Sequence, residues 1–400
     1  MRRVRSWLMG TITVAAMAMA PAAWGQAAIM PEELDRQTDT LGPAPSEPGE
    51  PPHGTEAAPD DRVKPDLLIA PIPVSNPAFG TGGALAGVLY YNPNNSPKPW
   101  VTAVAAGYTS TDSWAAGLFH NMALDDDRFR ITALAGYGDV RLKFYGIGSN
   151  AGDAGVSVKL RDRGLMTYLD GQMRIFDKGL LSNLHVGARV SFLRVRSSIS
   201  IPTPNHPELE LPDFELRSGV AAIGPSFTFD TRNHPFTPRK GVLVTGTWMF
   251  GAGFLGSDFE HRKLEILSTA FFPLGKGTVL AVRKTMCATS GNAPYYDLCM
   301  FGRNNDLRGY EAGRYRDGAT WALQAEVRQR VTGKLGVVGF AGVGGIAASS
   351  KDIWKHSHVL ASGGAGLRYL ASKANNVNLR LDVAWGKDGA AVYFGIGEAF

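Results

Sequence analysis

No apolar run in the chain is long enough for a transmembrane helix, which needs about 20 consecutive apolar residues. A helical membrane bundle is therefore excluded. Charged residues make up only 19%, below the usual share of a soluble domain, about 25%. No Gly-x-Ser-x-Gly elbow is present. The eight histidines are dispersed, and His120, Asn121, His356, Ser357 and His358 form no triad with an orienting acid. We expect no enzyme, no cofactor and no bound metal. Basic residues are scattered rather than gathered on one face, which argues against nucleic acid as a partner. The only cysteines are Cys287 and Cys299. In an oxidising compartment such a pair points to a disulfide across a loop, with two free thiols as the alternative.

What is present divides the chain into three. Arg2, Arg3 and Arg5 precede a short apolar core, and Ala23-Trp24-Gly25 offers a small-x-small cleavage site. Residues 1–25 read as a secretory signal peptide. Residues 26–65 hold eight prolines, no aromatic residue, and nine acids against three bases. Such a stretch cannot bury a core and is expected to be disordered. Residues 66–400 are rich in glycine and alternate. Val377, Leu379, Leu381, Val383 and Trp385 share one face of a strand, with Asn378, Arg380 and Asp382 on the other. Gln324, Glu326, Arg328 and Arg330 likewise share one face. An apolar face opposite a charged one, repeated along the chain, is the signature of a transmembrane β-barrel.

Sixteen such segments can be counted, at 67–74, 81–91, 100–109, 113–122, 128–140, 164–176, 183–197, 217–231, 241–251, 258–272, 277–288, 318–332, 335–346, 357–371, 376–386 and 389–400. The expected fold is an all-β, antiparallel transmembrane barrel of about sixteen strands. Pro71 and Pro73 in the first segment remove two N–H donors from one edge. Phe400 ends the last segment in line with Val392, Phe394 and Ile396. We therefore expect a weak closing seam at Pro71, Pro73 and Phe400.

Two strings carry a resemblance. FGRNNDLRGYEAGRYRD, residues 301–317, contains the tetrad Leu307-Arg308-Gly309-Tyr310. FDTRNHPFTPRKG, residues 229–241, contains Asp230, Arg232, Pro235, Phe236, Pro238 and Gly241, with prolines that stop one strand and a glycine that starts the next. In this order and spacing they resemble the barrel half of the BamA/TamA-type outer-membrane assembly superfamily, the bacterial surface antigen family. Residues 26–65 cannot encode that superfamily's folded periplasmic modules, so the resemblance is to a short member without them.

The resemblance implies a loop between the eleventh and twelfth strands that folds into the lumen and an arginine, Arg308, that pairs with acids on the following strands. Alternation names Glu326 as its partner. The family's Phe-x-Asp-x-Gly pattern reads Phe340-Ala341-Gly342-Val343-Gly344 here, and Arg303 stands where a second glycine is usual. A second anchor for Arg308 is then expected to be missing.

The implied location is the bacterial outer membrane, with lipid and lipopolysaccharide as surroundings. The implied role is insertion, assembly or translocation of outer-membrane proteins, with client proteins or a separate periplasmic protein as partners. A passive pore on the same scaffold is the alternative, and an outer-membrane lipolytic enzyme a third.

Overall fold

The computed structural model describes residues 66–76, 78, 80–94, 100–200, 214–234, 237–302, 306–372 and 377–400. The expected signal peptide, the proline- and acid-rich stretch 26–65, Pro235, Phe236 and Arg303 lie outside them.

Among the described residues eighteen strands are present: β1 (Asp66–Asn76), β2 (Gly80–Tyr91), β3 (Trp100–Thr109), β4 (Trp114–Leu124), β5 (Phe129–Phe144), β6 (Val158–Arg174), β7 (Leu184–Ser200), β8 (Phe214–Asp230), β9 (Gly241–Gly251), β10 (His261–Gly275), β11 (Thr278–Gly291), β12 (Cys299–Met300), β13 (Arg316–Asp317), β14 (Ala319–Arg330), β15 (Leu335–Ala347), β16 (His358–Ser372), β17 (Val377–Gly386) and β18 (Gly389–Ile396). All but β12 and β13 form one sixteen-stranded antiparallel sheet in chain order, and those two pair with each other within the long connection 292–318. One short helix, α1 (Ser149–Ala154), sits in the β5–β6 connection. No helix among the described residues is long and apolar enough to cross a membrane.

The sheet curls until β1 and β18 adjoin. β1 pairs with β2 over its whole length. Among the described residues, however, no hydrogen-bonded ladder joins β1 to β18. Long connections such as 145–157 and 292–318 gather at one end, and tight ones such as 125–128, 276–277 and 331–334 at the other. β1 begins and β18 finishes at the tight-turn end.

Successive side chains along a strand point to opposite faces, and here those faces invert the usual order. On β14, Gln324 and Glu326 are fully buried while Leu323 and Val327 are 37% and 43% exposed. On β17, Asp382 is buried between exposed Leu381 and Trp385. Polar side chains gather inside and apolar ones outside, the arrangement of a sheet whose outer face meets lipid.

Several boundaries differ from expectation by three residues or more, and those of β6 and β18 bear on the site. β6 begins at Val158 rather than 164, because its ladder with β5 continues through charged residues. Arg161 Nη2 lies 2.5 Å and Arg163 Nε 3.1 Å from Asp139 there, so backbone pairing outlasts the apolar alternation. At the other extreme, β18 ends at Ile396 rather than running to residue 400. Gly397 takes a left-handed φ of 82°, a conformation that costs glycine little, and the chain leaves the strand.

That turn moves Phe400 away from the seam where the sequence put it. Phe400 is buried against Phe271, Val279 and Ala281 of β10 and β11. Arg283 and Arg328 approach its ring to 5.6 Å each. Burying an aromatic ring among apolar side chains on the inner face wins over extending the strand. Pro71 and Pro73 do lie in β1, paired in register with Leu85 and Gly83 of β2.

Candidate functional site

The described residues of the connection from β11 to β14 meet polar side chains on strands well apart in the sheet. Cys287 of β11 and Cys299 of β12 form a disulfide, with Cα atoms 5.7 Å apart. Beyond Cys287 the chain reaches the far side of the sheet. Tyr295 donates to Asp162 of β6 at 2.6 Å and meets Ser197 of β7 at 2.6 Å, and Tyr296 meets Ser218 of β8 at 2.9 Å. Asp297 accepts from His261 at 2.6 Å and Lys263 at 2.8 Å, both on β10. Burial alone would push the Asp297 carboxyl up, but the Lys263 ammonium and the His261 imidazole hold it well below the usual carboxylate range. Burial pushes the Tyr296 phenol up to about 12.

Further along, Arg314 reaches Asp388 between β17 and β18 at 2.7 Å. Tyr315 donates to Asp153 of α1 at 3.0 Å. The connection thus touches β6–β8 and β10 on one side and the β17–β18 region on the other.

The Leu307-Arg308-Gly309-Tyr310 tetrad forms its tip and is buried throughout. Arg308 Nη2 donates to Glu326 Oε2 at 2.6 Å and Nη1 donates to Asp382 Oδ2 at 2.7 Å. Nε donates to Gln324 Oε1 at 3.3 Å. The guanidinium lies 3.4 Å from the centre of the Phe340 ring, where the quadrupole of the ring attracts a cation. The sequence named Glu326. It placed Asp382 and Gln324 on the inner face without naming either as a partner, and it named Phe340 only within the glycine pattern.

The expectation of a missing second anchor is corrected by Asp382, which supplies the carboxylate from β17. Gly342 has a different reason to lack a side chain. A Cβ there would stand 2.8 Å from Leu307 Cδ1 and 3.1 Å from the Leu323 carbonyl, so the tip leucine occupies the space an aspartate would need. Gly309 has φ 107°, and a Cβ on it would meet the Gly386 nitrogen at 2.9 Å. Its own N–H donates to the Tyr393 hydroxyl at 2.9 Å.

Around Arg308, three guanidiniums and three carboxylates alternate. Arg328 Nε donates to Glu326 Oε1 at 2.8 Å. Arg368 Nη1 donates to Asp382 Oδ1 at 2.5 Å and its Nε to Glu398 Oε2 at 2.7 Å. Asn378 donates to Glu398 at 2.7 Å, and Arg328 Nη2 donates to the Phe400 oxygen. Taking charges out of water costs several kcal/mol per ion, so such a cluster holds only when each charge meets an opposite one in good geometry. The tail 398–400, not foreseen as part of this site, closes the cluster.

The turn after β8 is equally compact. Arg232 binds Asp230 through Nη2 at 2.9 Å and through its backbone N–H at 2.8 Å. The Asn233 side-chain carbonyl accepts from the N–H groups of Arg239 and Lys240, both at 3.0 Å. Gly241 has φ 106°, and a Cβ there would lie 2.3 Å from the Thr231 carbonyl. Pro238 is buried in the same turn.

The dispersed histidines meet ordinary partners. His120 Nδ1 lies 2.9 Å from the Thr102 hydroxyl, Asn121 donates to Thr132, and Ser357 donates to the Ile353 carbonyl at 2.5 Å. His356 and His358 face Asp352 and Asp153 respectively. No group of metal-ligating side chains occurs among the described residues.

Residues 215–400 match the Omp85 superfamily domain. Among solved structures, the chain is similar to BamA from Haemophilus ducreyi lacking POTRA domains 1–3, at 12% identity and a TM-score of 0.56, covering 84% of this chain and 69% of that one. It is also similar to CdiB from Escherichia coli, at 14% identity and a TM-score of 0.56, covering 82% of this chain and 61% of that one. CdiB from Acinetobacter baumannii matches at 12% identity and a TM-score of 0.52, over 83% of this chain and 59% of that one. The chain therefore spans about 60% of the length of the two CdiB chains, and at these identities the likeness shows a shared fold. No curated protein sequence matches it.

Proposed function

We propose that this chain, which belongs to the BamA/TamA-type Omp85 superfamily through its residues 215–400, inserts or translocates proteins at the bacterial outer membrane. The observation that carries this reading is the meeting of β1 and β18 without a ladder among the described residues. A ladder is what would hold the two ends of the sheet together. Pro71 and Pro73 lack N–H groups, and residues two apart direct their donors toward the same neighbour. Where that edge of β1 faces β18, two consecutive donors are missing from the meeting line. The seam can then part toward lipid and pair with an incoming strand by β-augmentation.

The tip at Arg308 has the complementary role of a brace. The connection 292–318 folds into the lumen and ties opposite walls together, which keeps the rest of the sheet rigid while one edge yields. Outer-membrane lipid and lipopolysaccharide surround the apolar outer face, and client outer-membrane proteins or a separate periplasmic protein are its partners. A cleaved signal peptide, residues 1–25, directs export.

The test is depletion of the protein followed by counting folded outer-membrane proteins. A fall in folded clients supports the reading, and unchanged levels refute it. A passive pore predicts unchanged clients together with a steady single-channel current that Arg308→Ala raises.

A further inference from the structure

At the tight-turn end of the sheet lies a cavity of about 230 Å³, several times the ~30 Å³ that one water takes in the liquid. Its lining includes five cations, Arg239, Arg328, Arg330, Lys334 and Arg368, and a single carboxylate, Glu398. Deeper in, cations meet carboxylates in pairs, and Arg380 stands beside the same carboxylates. Arg308, Arg328 and Arg368 are matched by Glu326, Asp382 and Glu398. The surplus stands at the mouth. Arg239, Arg330 and Lys334 have no carboxylate partner among the described residues. Arg239 is held in place by donating from Nη2 to the Gly275 carbonyl at 3.0 Å. Arg328 is 8% exposed, and its Nη1 has no hydrogen-bond acceptor among the described residues. A buried charged donor without an acceptor is costly, and it marks a place where an acceptor is wanted.

We propose that this cavity binds a phosphate group, free or as the headgroup of a phospholipid. The donors converge from four places, the turn after β8, the end of β14, the β14–β15 turn and, at Arg368, β16. A planar carboxylate offers two oxygens to one side. A tetrahedral phosphate offers oxygens in several directions and up to two negative charges, which suits donors arriving from different elements. Arg328 and Arg368 also hold Glu398, so a bound phosphate shares cations with the tail 398–400.

The experiment titrates the full-length chain in maltoside micelles at constant ionic strength, by calorimetry. The probes are inorganic phosphate and dihexanoyl-phosphatidylglycerol. The mouth variant Arg330→Gln with Lys334→Gln leaves the buried charge cluster intact. Lys351→Gln with Lys355→Gln, in the connection 348–357 at the opposite end, is the control. We expect saturable phosphate binding with a Kd on the order of 1 mM or tighter, weakened at least about tenfold in the mouth variant and unchanged in the control. Tighter binding of the lipid than of inorganic phosphate identifies the headgroup as the source, and equal binding identifies the free anion; both support the proposal. It is overturned by no saturable phosphate binding up to about 20 mM, or by a mouth variant that binds like the parent. It is equally overturned if a peptide of residues 42–61, rich in carboxylates, binds where neither phosphate probe does.

Discussion

Replacing Arg308 by alanine tests the brace directly. The change removes charge-assisted hydrogen bonds to Glu326 and Asp382, at 2.6 and 2.7 Å, and the contact with Phe340. Hydrogen bonds to charged groups contribute about 1.5–3 kcal/mol each, but the full sum overstates the loss. Glu326 keeps Arg328 and Asp382 keeps Arg368, so neither carboxylate is orphaned. Breaking a buried pair outright costs about 3–5 kcal/mol. We place Arg308→Ala at the lower end, about 3 kcal/mol, and assign the cost to the tip rather than to the whole sheet. The disulfide and the Tyr295, Tyr296 and Asp297 contacts still hold the other end of the connection.

Local opening of about 3 kcal/mol multiplies the open population roughly a hundredfold. Trypsin cleavage after Arg314 should rise by that factor while β14–β18 stay protected. Glu326→Gln should act similarly, and the double variant should cost less than the two singles combined by at least about 1 kcal/mol, since the residues touch. Cleavage after Arg314 at the parent rate in Arg308→Ala, or strict additivity in the cycle, would refute the brace.

Three further outcomes are expected. Replacing Cys287 and Cys299 together by serine removes a cross-link over 12 positions, which chain-entropy arguments value at about 3 kcal/mol; urea unfolding in detergent should shift by that order, and an unshifted midpoint would count against the loop tether. Gly342→Asp places a side chain 2.8 Å from Leu307 Cδ1, so it should lower stability by about 1–3 kcal/mol through overpacking and expose the tip to trypsin; a stabilised variant would show that Leu307 yields easily. Asp297 is held below its ordinary value by Lys263 and His261, so its contribution is full above the unfolded value of about 3.9 and is lost as pH falls through the lower folded one. Hydrogen-exchange protection around Tyr295–Asp297, corrected for the intrinsic rate at each pH, should therefore be full at pH 5 and fall toward strong acid, and Asp297→Asn should remove that pH dependence of the protection.

How far the sequence reaches depends on the range of the interaction being read. Alternation is local, and it places Glu326 on the inner face because Gln324, Glu326 and Arg328 are two apart. Joined to the tetrad, this names the pair now seen at 2.6 Å. Asp382 lies three sheet positions beyond Glu326, on β17. Nothing in the periodicity of a single strand tells how a curled sheet brings it back to the same guanidinium. The family pattern points to residue 342, on the strand next to β14, but Leu307 claims that space and the charge comes from further round. β6 shows the reverse limit, where a ladder held by Asp139, Arg161 and Arg163 carries no apolar rhythm and so begins earlier than alternation suggests.

The tail shows how one residue can redirect a reading. Val392, Phe394 and Ile396 promise a strand that continues to Phe400, and only the left-handed Gly397 ends it. Phe400 then becomes a neighbour of Arg328, and Glu398 becomes the third carboxylate of the cluster. These two corrections bear on one mechanism. With Phe400 buried against β10 and β11, the last strand reaches the meeting with β1 only as far as Ile396. The shorter β18 reduces what can be hydrogen-bonded across that line. The same departure that takes Phe400 off the line of β18 brings Glu398 to Arg368 at 2.7 Å and the Phe400 oxygen to Arg328.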